Sequence, residues 1–419
     1  MKNKFFCLAS VLVLIVATSC KKDNIQKTGK ANTIVLPQSG SSVIFANSQF
    51  AFNFLQQTLQ QDTADDNKLI SPLSIYLALS MVYNGADNAT KDAISKVLQL
   101  SGISIDDLNS VCKALITQLP AEDKNVHFSI ANSIWCNQNN FQPFDSFLSI
   151  TRNYYDAAVK VENFGNPNTV NDINNWVKDK TNGKIQKILD ATSSDDLMYL
   201  LDAIYFNGAW KFSFKISDTK NDLFHLQNGN SVEVPFMNQT IKTNLYYDSS
   251  FEILELPYGY DNGFSMYIAL PNNNQQPISS FVSFMKADIF ANAIKKMDSA
   301  SLKVEIPRWQ YSYSIENMKP ELSSLGMGIA FSGNADFSKM YNPDQIRPYI
   351  TKAIHKTYIK VNEQGTEAAA VTAIGIGYTS ISPEPLIFKA DHPFLYAIAE
   401  KQTGTILFTG IVNDPSVSE

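Results

Sequence analysis

The chain holds four histidines, His127, His225, His355 and His392, and none stands in a His-Glu-x-x-His pair that could grip zinc from one helix face. It has no Gly-x-Ser-x-Gly elbow to present a nucleophilic serine, no Cys-x-x-Cys pair and no glycine-rich phosphate loop. No local motif for hydrolysis, metal chemistry or phosphoryl transfer is present. The chemistry this chain offers lies in its own backbone, in the stretch Val361–Ser380.

Taken two at a time, Thr366, Ala368, Ala370, Thr372, Ile374 and Ile376 form an uncharged row, small and then apolar, that suits the buried face of a sheet. The other row, Glu367, Ala369, Val371, Ala373, Gly375 and Gly377, is small and carries one charge. Gly365, Gly375, Gly377 and the alanine run give a permanent strand little to pack. The segment therefore reads as a loop able to become a strand, and from periodicity alone equally as a linker or a small-residue strand.

The elements that must position this segment are readable in part. Ser71 as N-cap, Pro72 in the first turn and Gly85 as a left-handed stop predict a central helix between them, apolar around most of its circumference. An earlier helix from Phe50 to about Gln60 puts Phe50, Phe52, Phe54, Leu55 and Leu59 partly on one face. Leu302–Ile306 and Phe264–Leu270 read as strands, Phe224–Val234 as a hairpin around Asn228-Gly229, and Phe394–Ala399 with Thr405–Val412 as a second hairpin. Helices early and strands late predict an α+β class with mostly antiparallel sheets.

Composition bounds the remainder. The 419 residues are 44% hydrophobic and 18% charged, with a formal charge of −6, which argues against a nucleic-acid groove. Lys2 and Lys4 precede an apolar run from Phe5 to Val16, too short to span a bilayer and shaped like a secretory leader. The run ends in Ala17-Thr-Ser-Cys20, which resembles a bacterial lipobox; cleavage of residues 1–19 would leave Cys20 to carry a diacylglycerol. Residues 20–44 read as a flexible polar tether and 45–419 as one domain, no linker composition interrupting them. Cys112 and Cys136 could pair or stay as buried free thiols.

Glu363-Gln-Gly-Thr-Glu-Ala-Ala-Ala370 followed by Phe388-Lys-Ala-Asp-His-Pro-Phe394 resembles the hinge, reactive loop and following strand of the serpin family. Supporting blocks keep the family's order: Ile70-Ser-Pro-Leu-Ser-Ile75, Ala131-Asn-Ser-Ile-Trp135, Ile173-Asn-Asn-Trp176 with Thr181-Asn-Gly-Lys-Ile185, Ala203-Ile-Tyr-Phe-Asn-Gly-Ala-Trp210, Leu254-Glu-Leu-Pro-Tyr258, Leu325-Gly-Met327 with Ala335-Asp-Phe337, and Gly404-Thr-Ile-Leu-Phe-Thr-Gly410. Each block alone is weak; the ordered set is specific.

The resemblance implies a serpin fold of eight to nine helices and three mostly antiparallel sheets, with an exposed loop over about 363–387. It implies an inhibitor rather than an enzyme. A serine protease, or a cysteine protease, cleaves the loop and is held as an acyl-enzyme when the hinge enters the main sheet. Family spacing puts the scissile bond between Thr379 and Ser380, with Tyr378 as a second position, and the hinge at Glu363, Gly365, Thr366, Glu367, Ala368, Ala369 and Ala370. No Lys, Arg or His falls between Val361 and Phe388, so elastase-like, chymotrypsin-like or subtilisin-like targets are favoured over trypsin-like ones. Ser71, Ser74, Asn174 and His355 resemble the polar cluster beneath the sheet's opening point, and Trp210 the tryptophan where the hinge enters. The same reading expects a monomer without cofactor or metal, lipid-anchored in a bacterial envelope. A carrier or chaperone-like serpin that traps nothing is the rival.

Overall fold

A computed structural model describes residues 31–139, 142–261, 263–341, 347–367 and 385–417. Among them are nine α-helices and fifteen strands. The central helix runs Pro72–Gly85 with every residue buried, and Ser71 Oγ accepts from the Ser74 amide as an N-cap should. Gly85 departs from expectation: it is the last helical residue and not a left-handed stop. Its lack of a side chain serves close approach, because a Cβ there would lie 2.7 Å from Met340 Cε.

Before it lies the helix Gly40–Gln61, ten residues longer at its start than the phenylalanine cluster suggests. Val43, Ile44, Asn47, Phe50, Ala51, Phe54, Leu55 and Thr58 form one buried stripe, so the helical period extends into a Ser- and Asn-rich stretch of weak propensity. The tether expected over 20–44 is shortened accordingly. Ile34 is buried, and Gln402 and Gln118 each bond both main-chain groups of one residue, Ile34 and Val35 respectively. From Ala31 onward the segment belongs to the folded body.

Among the described residues the strands form two large sheets, consistent with the expected serpin architecture. The larger runs in the order Lys68–Ile70, Ile406–Val412, Phe394–Glu400, Phe264–Pro271, Phe251–Pro257, Ser231–Tyr247, Asp298–Pro307 and Leu386–Lys389, with Lys220–His225 paired to the near end of 231–247. That 17-residue strand joins what would be two sheets, since it pairs with 220–225, then 298–307, then 251–257 along its length.

The smaller sheet has the order Trp309–Ile315, Lys352–Asn362, Gly365–Thr366, Met198–Ala209, Val126–Asn137 and Ala158–Glu162. Strands 352–362 and 198–209 pair directly and in parallel, but only from Lys352↔Tyr199 to His355↔Asp202. At their far ends the pair Gly365–Thr366 lies between them, antiparallel to both. The helix 72–85 packs beneath these strands, in the main apolar core.

Candidate functional site: the hinge and the opening of the smaller sheet

Gly365 and Thr366 are wedged between the two strands, Gly365 where only a residue without a side chain passes. Gly365 has φ +150°, and a Cβ on it would sit 2.1 Å from the carbonyl oxygen of Gly208. Thr366 pairs with Gly208 and Val361, is 2% exposed, and its Oγ1 lies 2.6 Å from the hydroxyl of Tyr258.

Trp210 meets the hinge twice: its indole donates to Asn362 O (2.8 Å) and its amide to Gln364 O (2.8 Å). Its ring stacks on Tyr258, centroids 4.5 Å apart, so one aromatic pair supports both the turn at 362–364 and Thr366.

Glu363 anchors the turn. Thr219 Oγ1 donates to its Oε1 at 2.6 Å, Arg308 Nε at 2.8 Å, and the Arg308 Nη2 contacts the same oxygen. Burial pushes this carboxyl up, but Arg308 and Thr219 outweigh it and hold it below the ordinary value. Glu367 is the opposite case: burial raises its pKa against the pull of Lys184.

Lower in the sheet, Ser71, Ser74 and His355 come together. Ser71 donates its amide to His355 Nε2 (3.0 Å) and its hydroxyl to Leu407 O (2.8 Å), and Ser74 Oγ donates to Asn132 Oδ1 (3.4 Å). Because Nε2 faces an N–H donor, the imidazole proton sits on Nδ1, which donates to Asp202 Oδ1 at 2.6 Å. The other oxygen, Asp202 Oδ2, is buried with no hydrogen-bond partner.

Asn174 is not a member of this cluster. From the helix Thr169–Lys180 its Oδ1 accepts from the amides of Ile188 and Leu189, and its Nδ2 donates to Leu189 O. Its side chain is spent pinning that loop. The residue in its place is Asp202, which sequence reasoning passed over although it is the one charge in the apolar run Met198–Phe206. Arg308, Tyr258 and Asn132 were also missed as partners; tertiary pairing, rather than any local pattern, brings them in.

Ala368, Ala369, Ala370, Tyr378, Thr379, Ser380 and Cys20 lie outside the described residues. Cys112 and Cys136 are buried free thiols, and burial pushes Cys112 up to about 12, so it is inert as a nucleophile.

Residues 45–415 match the family model described as serpin, serine protease inhibitor. The chain is 32% identical over 379 residues to an uncharacterised serpin-like protein of Thermococcus kodakarensis, covering 89% of this chain and 86% of that one. Tengpin, a thermophilic serpin, is 35% identical and in its native state overlays with a TM-score of 0.83, covering 93% of this chain and 99% of its own. Its latent state overlays less well, at 0.75 over 88% and 96%. Thyroxine-binding globulin with thyroxine bound overlays at 0.80, 25% identical, over 90% and 100%. This chain belongs to the serpin family, whose members include both protease inhibitors and carriers.

Proposed function

We propose that this chain is an inhibitory serpin that traps a serine protease as an acyl-enzyme after cleavage at Thr379–Ser380, Tyr378 being the second cleavage position. The observation carrying this reading is the wedge of Gly365 and Thr366 between strands 352–362 and 198–209. A hinge already started into the sheet needs only to lengthen, and the residues that follow, three alanines, then Val371 and Thr372, are small enough to slide between existing strands. Continuing both registers antiparallel would bring Ala368 opposite Phe206 and Ile359, and Thr372 between Asp202 and His355. The carrier reading draws support from the likeness to thyroxine-binding globulin, but nothing bulky, charged or proline-bearing follows Glu367 in the hinge to oppose entry.

The target is an elastase-, chymotrypsin- or subtilisin-like enzyme, met by a monomer held to a bacterial envelope through lipid on Cys20. Incubation with pancreatic elastase, chymotrypsin, subtilisin and trypsin, followed by a denaturing gel, tests this. A heat- and SDS-resistant complex is expected, at lower stoichiometry with elastase than with trypsin, and Thr366→Arg is expected to be cleaved without trapping. Clean cleavage of the unaltered chain by all four enzymes would leave it a substrate and not an inhibitor.

A further inference from the structure

The turn Asp391-His392-Pro393 joins strand Leu386–Lys389, which follows the reactive loop in the sequence, to strand Phe394–Glu400. His392 is 7% exposed, and each of its ring nitrogens meets an acceptor. Nδ1 lies 3.0 Å from Asp391 Oδ1, and Nε2 lies 2.8 Å from the carbonyl oxygen of Pro271. A carbonyl cannot donate. Burial pushes the Asp391 carboxyl up, but the bond and charge of His392, then Lys389 and His225, outweigh it and hold it below the ordinary value. Asp391 is therefore an anion and cannot donate either. A neutral imidazole has a single N–H, so either tautomer would turn a lone pair towards one of these two oxygens. The ring satisfies both contacts only as the doubly protonated cation.

The neighbours define what this cation joins. Asp391 O accepts from the His225 amide at 2.7 Å, and the Ala390 amide donates to Glu305 O at 3.0 Å, which fastens the turn to strands 220–225 and 298–307. Lys389 Nζ lies 2.8 Å from Asp222 Oδ2 and 3.9 Å from Asp391 Oδ2. Pro271 closes strand 264–271, where it pairs with Phe251. The next residue, Glu252, has its carboxyl pushed up to about 7 by burial while His392 pulls it down. It ionises in the range where imidazoles titrate, and its charge supports the cation.

We propose that His392 is a positioning residue: as an imidazolium it ties strand 386–389 to the end of strand 264–271, and the tie slackens when the ring loses a proton as pH rises. Its consequence for a protease rests on the inhibitory reading, because strand 386–389 fixes the far end of the reactive loop. The tie itself rests on the two contacts of the ring. Losing the proton leaves one bond fewer and a lone pair against an acceptor. A histidine that merely filled space would favour neither form.

The test uses the full chain with His392→Gln, Asp391→Asn and Glu252→Gln. An amide in place of the Asp391 carboxylate can either accept from Nδ1 or donate to it, so Asp391→Asn is expected to keep the tie and lose its pH dependence. Ring nitrogen NMR shifts, assigned by their loss in His392→Gln, and amide exchange over 386–389, corrected for its intrinsic pH dependence, are read from pH 6 to pH 9. In the parent both ring nitrogens are expected to be protonated at pH 6, and protection to fall at least threefold by pH 9. Protection should be low throughout in His392→Gln and flat in Asp391→Asn, and Glu252→Gln should move the fall to lower pH. A singly protonated ring at pH 6, or equal slopes in the parent and Asp391→Asn, overturns the tie. The rate of complex formation with elastase, taken as the ratio of parent to Asp391→Asn so that the enzyme's own pH dependence cancels, should fall over the same range. Exchange as expected without complexes from any variant would keep the tie and sink the inhibitory reading; normal complexes with flat exchange in the parent would do the reverse.

Discussion

His355 and Asp202 face each other on the last rung that strands 352–362 and 198–209 share, joined by Nδ1 and Oδ1 at 2.6 Å. Beyond that rung no pairing between the two strands is made among the described residues until the hinge intervenes. The pair marks where the closed part of the sheet ends, and Ser71, at the start of the central helix, fixes the imidazole tautomer from below. Breaking it by His355→Ala abandons a buried carboxylate and is expected to cost about 3–5 kcal/mol, whereas Asp202→Asn, which still accepts from Nδ1, costs about 1 kcal/mol. Urea unfolding of the three proteins checks the order.

Gly365→Ala meets both a carbonyl and a backbone conformation closed to side chains. The Cβ would displace the hinge from Gly208, so exchange of the Thr366 amide should rise while strand 309–315, which among the described residues pairs with 352–362 alone, stays protected. A loss of about 1–3 kcal/mol is expected, and an unchanged melting temperature would show that the hinge contributes nothing to stability.

The orphaned Asp202 Oδ2 makes a prediction about the cleaved form. Under the proposed insertion, continuing the hinge register would set Thr372 beside it, where a hydroxyl could donate to an oxygen that has no hydrogen-bond partner among the described residues. Thr372→Val should leave the uncut protein's stability unchanged but reduce, by about 1–3 kcal/mol, the stabilisation that the proposed insertion after cleavage near Thr379 would bring. Equal thermal shifts on cleavage in both proteins would rule out this register.

Glu122 gives the fold a pH dependence. Burial first, then Glu400 and Asp123, push its carboxyl from 4.5 up to about 10, so the native chain holds a proton that the unfolded chain releases. Its stabilising contribution is complete below about pH 4.5 and is lost as pH climbs towards 10. Glu122→Gln, which cannot ionise in either state, should flatten the fall of melting temperature between pH 5 and pH 9 and stabilise the protein by a few kcal/mol at pH 8. Parallel pH curves for the two proteins would contradict a protonated Glu122 in the native chain.

Local chemistry was legible where one element decides it. The Ser71-Pro72 start, the hairpin after Phe224 and the pairing of 394–400 with 406–412 are set by caps, turn residues and alternation, and they stand where those signals put them. The helix before Phe50 escaped because Ser and Asn weaken its propensity while tertiary burial supplies its stability. The continuity of the larger sheet escaped because a single strand can serve three neighbours in turn, which no strand pattern discloses.

At the candidate site the same division holds. Glu363, Gly365 and Thr366 are recognisable from their own order, yet their partners Arg308, Tyr258 and Thr219 lie 55, 108 and 144 positions away and are joined only by the fold. Asn174 misled because an asparagine beside an apolar helix face serves a loop as readily as a buried network. Asp202 was visible as a charge inside an apolar strand, the signal that a buried group has a dedicated partner.

If Cys20 carries an acyl chain, as proposed above, the clasp that Gln118 and Gln402 make on Val35 and Ile34 would also limit orientation. Ten residues, 21–30, would then separate the bilayer from Ala31, the first residue bonded to the body, a span of at most about 33–36 Å at full stretch. A body some 400 residues in size cannot tumble freely on so short a lead; it would swing about the corner formed by Gln118, Glu122 and Gln402, and the proteases within its reach would be those working close to the membrane.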